Sequence, residues 1–206
     1  MPLAVLFYKK RAFDKQHSAV PLIWLTALAS LYEYIGTALL KININYWFQI
    51  YSFLELTAVY YFFYRLLGAS YTKYRIAFLI LLLSTYVVSF MYWGSSDKFI
   101  SLAINNSAIT VFVVVSVFLW FRHISQKGEV MNLWKYDNFY YVFGIFIYFS
   151  VTFCLFLLSK LIFESSGYAY DYWLANILAT LGLRILLIIG VWKMKPRSSY
   201  FSGRLQ

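Results

Sequence analysis

The sequence predicts an all-α fold, a polytopic membrane bundle of six transmembrane helices with both termini cytoplasmic. Three observations carry this. Hydrophobic residues make up 62% of the 206-residue chain and charged residues only 13%, against about one quarter charged in soluble domains. Mean hydropathy is +0.66. The apolar residues fall in runs of about 20, the length a helix needs to cross a hydrocarbon core of about 30 Å. These runs are apolar on every side and lack the alternation of barrel strands, so helices are the structure that satisfies their backbone in lipid.

The first segment, "MPLAVLFYKKRAFDK", is apolar for only eight residues before its charges. That is too short to span, and its basic residues follow the apolar stretch, the reverse of a signal peptide. Residues 1–19 are therefore expected to form an interfacial arm, with Phe7 and Tyr8 near the headgroups. The transmembrane domain, 20–195, holds spans at Val20–Leu40, Tyr46–Leu67, Tyr74–Trp93, Phe99–Phe121, Phe139–Phe163 and Tyr172–Trp192. Pro196 and the Ser and Gly residues after it end the last helix, leaving 196–206 as a flexible cytoplasmic tail. Tyr and Trp in "NYWF", "MYW", "YDYW" and "VW" mark span ends, where one side of the ring is dry and the other wet.

Alternate loops carry very different numbers of Lys and Arg, 14 on one side against 3 on the other. The positive-inside rule puts the richer side, with both termini, in the cytoplasm, and the protein in the inner membrane. Attraction to anionic lipid accounts for the net charge of +10 without a nucleic-acid partner.

Most catalytic chemistry has no foothold in the sequence. Cys154 is the only cysteine, which excludes an internal disulfide and a thiolate metal site and reads as a small packing residue. His17 and His123 stand in basic loops without a second ligand at helical spacing, and read as solvated interface residues. No metal or cofactor is expected. The "NNS" at 105–107 lies inside a span and cannot carry a glycan. No phosphate-cradling glycine loop, HExxH or serine elbow is present.

Polar residues within the spans carry the remaining information. Arg184 interrupts "ANILATLGLRILLIIGVW". Insertion scales charge such an arginine about +2.5 to +3.5 kcal/mol, and the eleven Leu, Ile and Val residues from Leu174 to Val191 each return about 0.3 to 0.6 kcal/mol, so the span inserts. An ionisable group at this depth pairs inside the bundle. At 1.5 Å per residue from the outer span ends, Arg184 lies about 16 Å deep, Glu33 about 10 Å and Glu55 about 12 Å. Side chains lean toward their own helix N-terminus, which brings Arg184 and Glu33 together in depth and makes Glu33 the first candidate partner, Glu55 the second. Asn176, Thr180 and Arg184 share one helix face, and Asn105 and Asn106 reach a similar depth. One polar cluster of Glu33, Glu55, Asn105, Asn106, Asn176, Thr180 and Arg184 is the expected site. Such a cluster reads first as a structural network that fixes helix packing. The functional readings are a ligand or ion site, a proton-sensing pair, or a pore lining contributed by each subunit of an oligomer.

The loop "RHISQKGEVMNLWKYDN" at 122–138 offers Arg122, His123, Lys127 and Lys135 to a cytoplasmic protein partner. Three stretches, "YWFQIYSFLELTAVYYFFYRLL", "FYYVFGIFIYFSVTFCLFLLS" and "YWLANILATLGLRILLIIGVWK", resemble an uncharacterised family of bacterial multipass membrane proteins. In that family such a region stands alone or precedes a cytoplasmic histidine kinase. Glu55 in "YSFLEL" and Asn176 in "LANIL" carry the resemblance, which implies a sensor-type membrane region. The expected function is thus a non-enzymatic sensor or regulatory component acting through partners or oligomerisation. The alternative is an oligomeric pore-forming effector, similar to the membrane accessory proteins of bacterial CRISPR-type antiviral systems.

Overall fold

A computed structural model describes residues 2–14, 17–40, 47–68, 71–94, 98–126, 133–164 and 169–194. Among them the elements are helices, with no strand: α1 (Pro2–Tyr8), α2 (Val20–Tyr32) continued by a π-helical segment (Glu33–Leu39), α3 (Trp47–Leu67), α4 (Thr72–Ser89) ending in a 3₁₀ turn (Phe90–Tyr92), α5 (Lys98–Gln126), α6 (Asp137–Glu164) and α7 (Ala169–Lys193). Lys127 and the expected tail, 196–206, lie outside the described residues.

Among the described residues four helices are long and apolar enough to cross a membrane: Thr72–Tyr92, Ile100–Gln126, Asp137–Leu158 and Leu174–Lys193. The other two expected spans differ in kind. The first is a shorter apolar helix, Val20–Gly36, which changes pitch at Glu33, and the Leu40 N–H donates five residues back to the Ile35 carbonyl at 2.9 Å. The second, α3, has 21 residues, about 31 Å, but four tyrosines with Gln49, Glu55 and Arg65 dilute its hydropathy.

Local chemistry sets several helix ends. Pro21 sits in the first turn of α2, where its missing N–H removes nothing. α3 stops where Gly68 takes φ +68°, the left-handed position that a side chain resists. Asp137 opens α6 and accepts the Asn138 N–H at 3.0 Å.

α6 and α7 make the most extensive helix pairing. Glycine permits it, because a Cβ at Gly190 would lie 2.5 Å from the Tyr141 ring. Contacts run α2 to α3 to α5 to α6 to α7, and Arg184 brings α7 back to α2 through Ser30. The five helices form a ring, with α4 packed outside against α5 and α3.

At the basic end of this ring the N-terminal arm is a docked plug, more than the interfacial strip expected. Leu6 and Ala12 are buried, while Phe7, Tyr8 and Phe13 are exposed. Lys9 Nζ donates to the Val191 and Trp192 carbonyls at 3.0 and 2.6 Å, in the last turn of α7, where the helix leaves carbonyls short of intrahelical donors. Burial first, and the Arg11 charge second, bring the Lys9 ammonium below the ordinary lysine range. Arg75 serves α3 in the same way. Its Nη1 donates to the Tyr64 carbonyl at 3.1 Å, its Nη2 to Thr72 Oγ1 at 2.9 Å, and its guanidinium lies 4.1 Å from the Tyr64 ring centre.

Two expectations are corrected here. His17 is not a solvated loop residue: its Nε2 lies 2.8 Å from Asp137 Oδ2, its ring packs on buried Tyr141, and the Ala19 N–H points at Nδ1. With Nδ1 accepting, Nε2–H is the donor to Asp137. Cys154 is exposed on the surface of α6 and does not pack in the core.

Candidate functional site

The polar residues of the far end, opposite the basic one, gather in two places. The first is the interior of the five-helix ring. Glu55, near the middle of α3, is 7% exposed. Tyr51, one turn earlier on the same helix, donates its hydroxyl to Glu55 Oε1 at 3.5 Å, and Tyr148 of α6 presents its hydroxyl to the same carboxyl. Across the ring, Arg184 Nη2 donates to Ser30 Oγ at 2.7 Å, and the Ser30 hydroxyl donates in turn to the Thr26 carbonyl at 2.8 Å. The charges of Glu55, Glu33 and Arg184 all act on the Tyr51 hydroxyl, so they occupy one electrostatic neighbourhood.

Within that neighbourhood the pairing differs from the expected one. Among the described residues no ion pair joins Arg184 to Glu33 or Glu55. Glu33 is the first residue of the π-helical segment and is exposed. Its N–H still bonds the Ala29 and Ser30 carbonyls in α fashion, so Glu33 follows Ser30 at i+3, on the exposed side of the same stripe. Ser30, one turn earlier, takes the guanidinium. Glu55 instead faces the hydroxyls of Tyr51 and Tyr148.

The second place is the seam between α3, α4 and α5. Six buried polar atoms there have no hydrogen-bond partner among the described residues: Gln49 Oε1, Ser52 Oγ, Trp93 Nε1, Ser101 Oγ and both amide atoms of Asn105. Each such atom costs about 1–3 kcal/mol. Six together would rival the 5–15 kcal/mol, roughly, that holds a typical protein folded.

Asn106 is satisfied on its own helix through the Leu102 carbonyl at 3.1 Å. Thr180 Oγ1 likewise donates to the Asn176 carbonyl at 2.9 Å, a local bond and not an interhelical one. Of the expected docking residues, Arg122 and Lys135 are exposed and His123 is half-buried with its ring 6.2 Å from Tyr71; Lys127 lies outside the described residues. Among the described residues no group of three His, Cys, Asp or Glu could hold a metal.

Sequence reasoning missed Tyr51, Tyr148 and Ser30 as the partners that matter. The Tyr51 signal was available, since it stands four residues before Glu55 on one helix face. Ser30 was legible as one of the polar stripe Thr26, Ser30, Glu33 and Thr37 on the first span, though not as the partner of Arg184, and Tyr148 depends on helix order and carried no local signal. No family model, no curated protein and no solved structure matches the chain.

Proposed function

We propose that the chain is a non-enzymatic, six-span protein of a bacterial inner membrane, with both termini cytoplasmic, acting as a sensor or regulatory component. The polar ring interior is its input, and the basic end, with Arg122 and Lys135 exposed, is its output toward a cytoplasmic partner. The observation that carries this reading is the placement of Glu55. One buried carboxyl touches side chains of α3 and α6 and shares a field with α2 and α7, and of these helices α2, α6 and α7 are tied at the basic end through the arm residues Lys9 and His17. A change at Glu55 therefore reaches rigid elements that end at the cytoplasmic surface. The resemblance to membrane regions that precede histidine kinases fits this role. Burial of Glu55, Asn105 and Asn106 within a single chain supports it over the pore, which needs polar side chains on the surface between subunits.

The test is a distance measurement. Spin labels at Arg122→Cys and Lys193→Cys, in a Cys154→Ser background, report the spacing of α5 and α7 at the basic end. Glu55→Gln is expected to shift that distance distribution without ion leakage from proteoliposomes. An unchanged distribution would remove the sensor reading, and leakage abolished by Glu55→Gln would favour the pore.

A further inference from the structure

The seam between α3, α4 and α5 is built as a continuous polar file, and packing register shows it. Phe112 of α5 packs against Tyr60 and Phe63 of α3, ring centres 5.7 and 5.8 Å apart. The two helices run parallel, so equal rise per residue brings Ser101 level with residues 49–52 and Asn105 level with 53–56. α4 runs antiparallel to α5. The Tyr74 hydroxyl meets Ser116 Oγ at 2.9 Å and Phe78 packs on Phe112, which brings Ser89 level with Ser101 and Tyr86 level with Ile104. Tyr86 closes the triangle by donating to the Gln49 carbonyl at 3.2 Å, and Trp93 stands beyond it with its ring 6.3 Å from that of Tyr86.

The unpartnered atoms thus form an ordered series from the far end inward: Trp93 Nε1, then Gln49 Oε1 and Ser101 Oγ, then Ser52 Oγ and the Asn105 amide. Gln49, Ser52, Ser101 and Asn105 are each 4% exposed or less. Ser52 is one helical turn from Glu55 on adjoining faces of α3. The set mixes donors with acceptors and includes no charged group. A bare cation would leave the Trp93 and Asn105 N–H donors unmet, and an anion would leave the Gln49 oxygen unmet. Water satisfies both kinds of atom.

We propose that this seam binds a short chain of water molecules and forms an aqueous access path from the far face, at Trp93, to Glu55. It deepens the sensor reading by giving the buried carboxyl contact with the medium on the far side, and it rests on that reading only at its endpoint.

Thiol accessibility tests it in the full chain in proteoliposomes, in a Cys154→Ala background. Ser101→Cys and Ser52→Cys would be compared with lipid-facing Val114→Cys and with Val113→Cys, which lies in the dry core, using a small water-borne methanethiosulfonate. Modification of Ser101→Cys at least tenfold faster than both controls, with Ser52→Cys slower than Ser101→Cys but above the controls, is the expected result. Rates equal to the controls overturn the path. If the cysteine variants fail to fold, Asn105→Leu decides the matter: a hydrated seam lowers Tm by about 2–4 °C, whereas a dry seam raises it by removing two unmet atoms. Fast labelling together with unchanged spacing in Glu55→Gln would keep the path and dismiss the sensor.

Discussion

The two ends of the bundle solve the burial of polar groups in opposite ways. At the basic end each prominent cation or acid has a fixed partner, Lys9 on the α7 carbonyls, Arg75 on the α3 carbonyl and the Tyr64 ring, His17 on Asp137, and the unpartnered buried atoms among the described residues are two, Arg75 Nε and the Tyr141 hydroxyl. Around them lie fully buried aromatic rings, Phe62, Phe63, Phe112 and Tyr141. At the far end the polar groups outnumber their partners. Glu55 is held by tyrosine hydroxyls, Arg184 by one serine, and six atoms of the α3–α4–α5 seam by nothing within the protein. A rigid base and an adaptable opposite half are what this contrast teaches, since order follows from satisfied bonds and close packing, and local opening from their lack.

The contrast can be broken most forcefully at the base. Arg75→Ala removes two hydrogen bonds from a charged, buried group together with its contact on Tyr64, and should lower stability by about 2–4 kcal/mol in a thermal or denaturant titration in detergent. Gly190→Ala drives a methyl group into the Tyr141 ring and should cost about 1–3 kcal/mol by separating α6 from α7; an unchanged Tm would mean that the pair is looser than its glycine packing indicates. At the far end the effects are smaller and more specific. A double-mutant cycle between Ser30→Ala and Arg184→Gln should show a coupling of about 1 kcal/mol. The cycle between Glu33→Gln and Arg184→Gln should be additive within about 0.5 kcal/mol. The reverse order would restore the carboxylate as the partner of Arg184.

The sequence made much of the fold legible. Apolar runs with aromatic ends located the helices, and the expected second span, Tyr46–Leu67, differs from α3 by one residue at its start. Glu55 was recognisable as a buried acid because nothing else in its run is charged until Arg65. The partner of Arg184 was not legible. Ser30 and Glu33 stand three residues apart on one stripe of α2, and depth and lean do not distinguish the one that meets α7, Ser30, from the one that is exposed, Glu33. Nor was the docking of the arm, because Lys9 and its carbonyls are separated by 182 and 183 residues and His17 and Asp137 by 120. Such contacts depend on which helix ends share a face of the membrane, which periodicity along one helix does not encode. The polar seam lies between these cases. Gln49, Ser52, Ser101 and Asn105 are visible as polar residues in apolar runs, but only helix register brings them into one file.

Hydrogen–deuterium exchange of the full chain in proteoliposomes compares the two halves most directly. Amides in 47–56 and 98–106 should exchange at least tenfold faster than those in 139–145 and 187–193, because water reaches the former and the latter are tied and dry. Equal protection in all four segments would contradict the division into a fixed base and a hydrated far end.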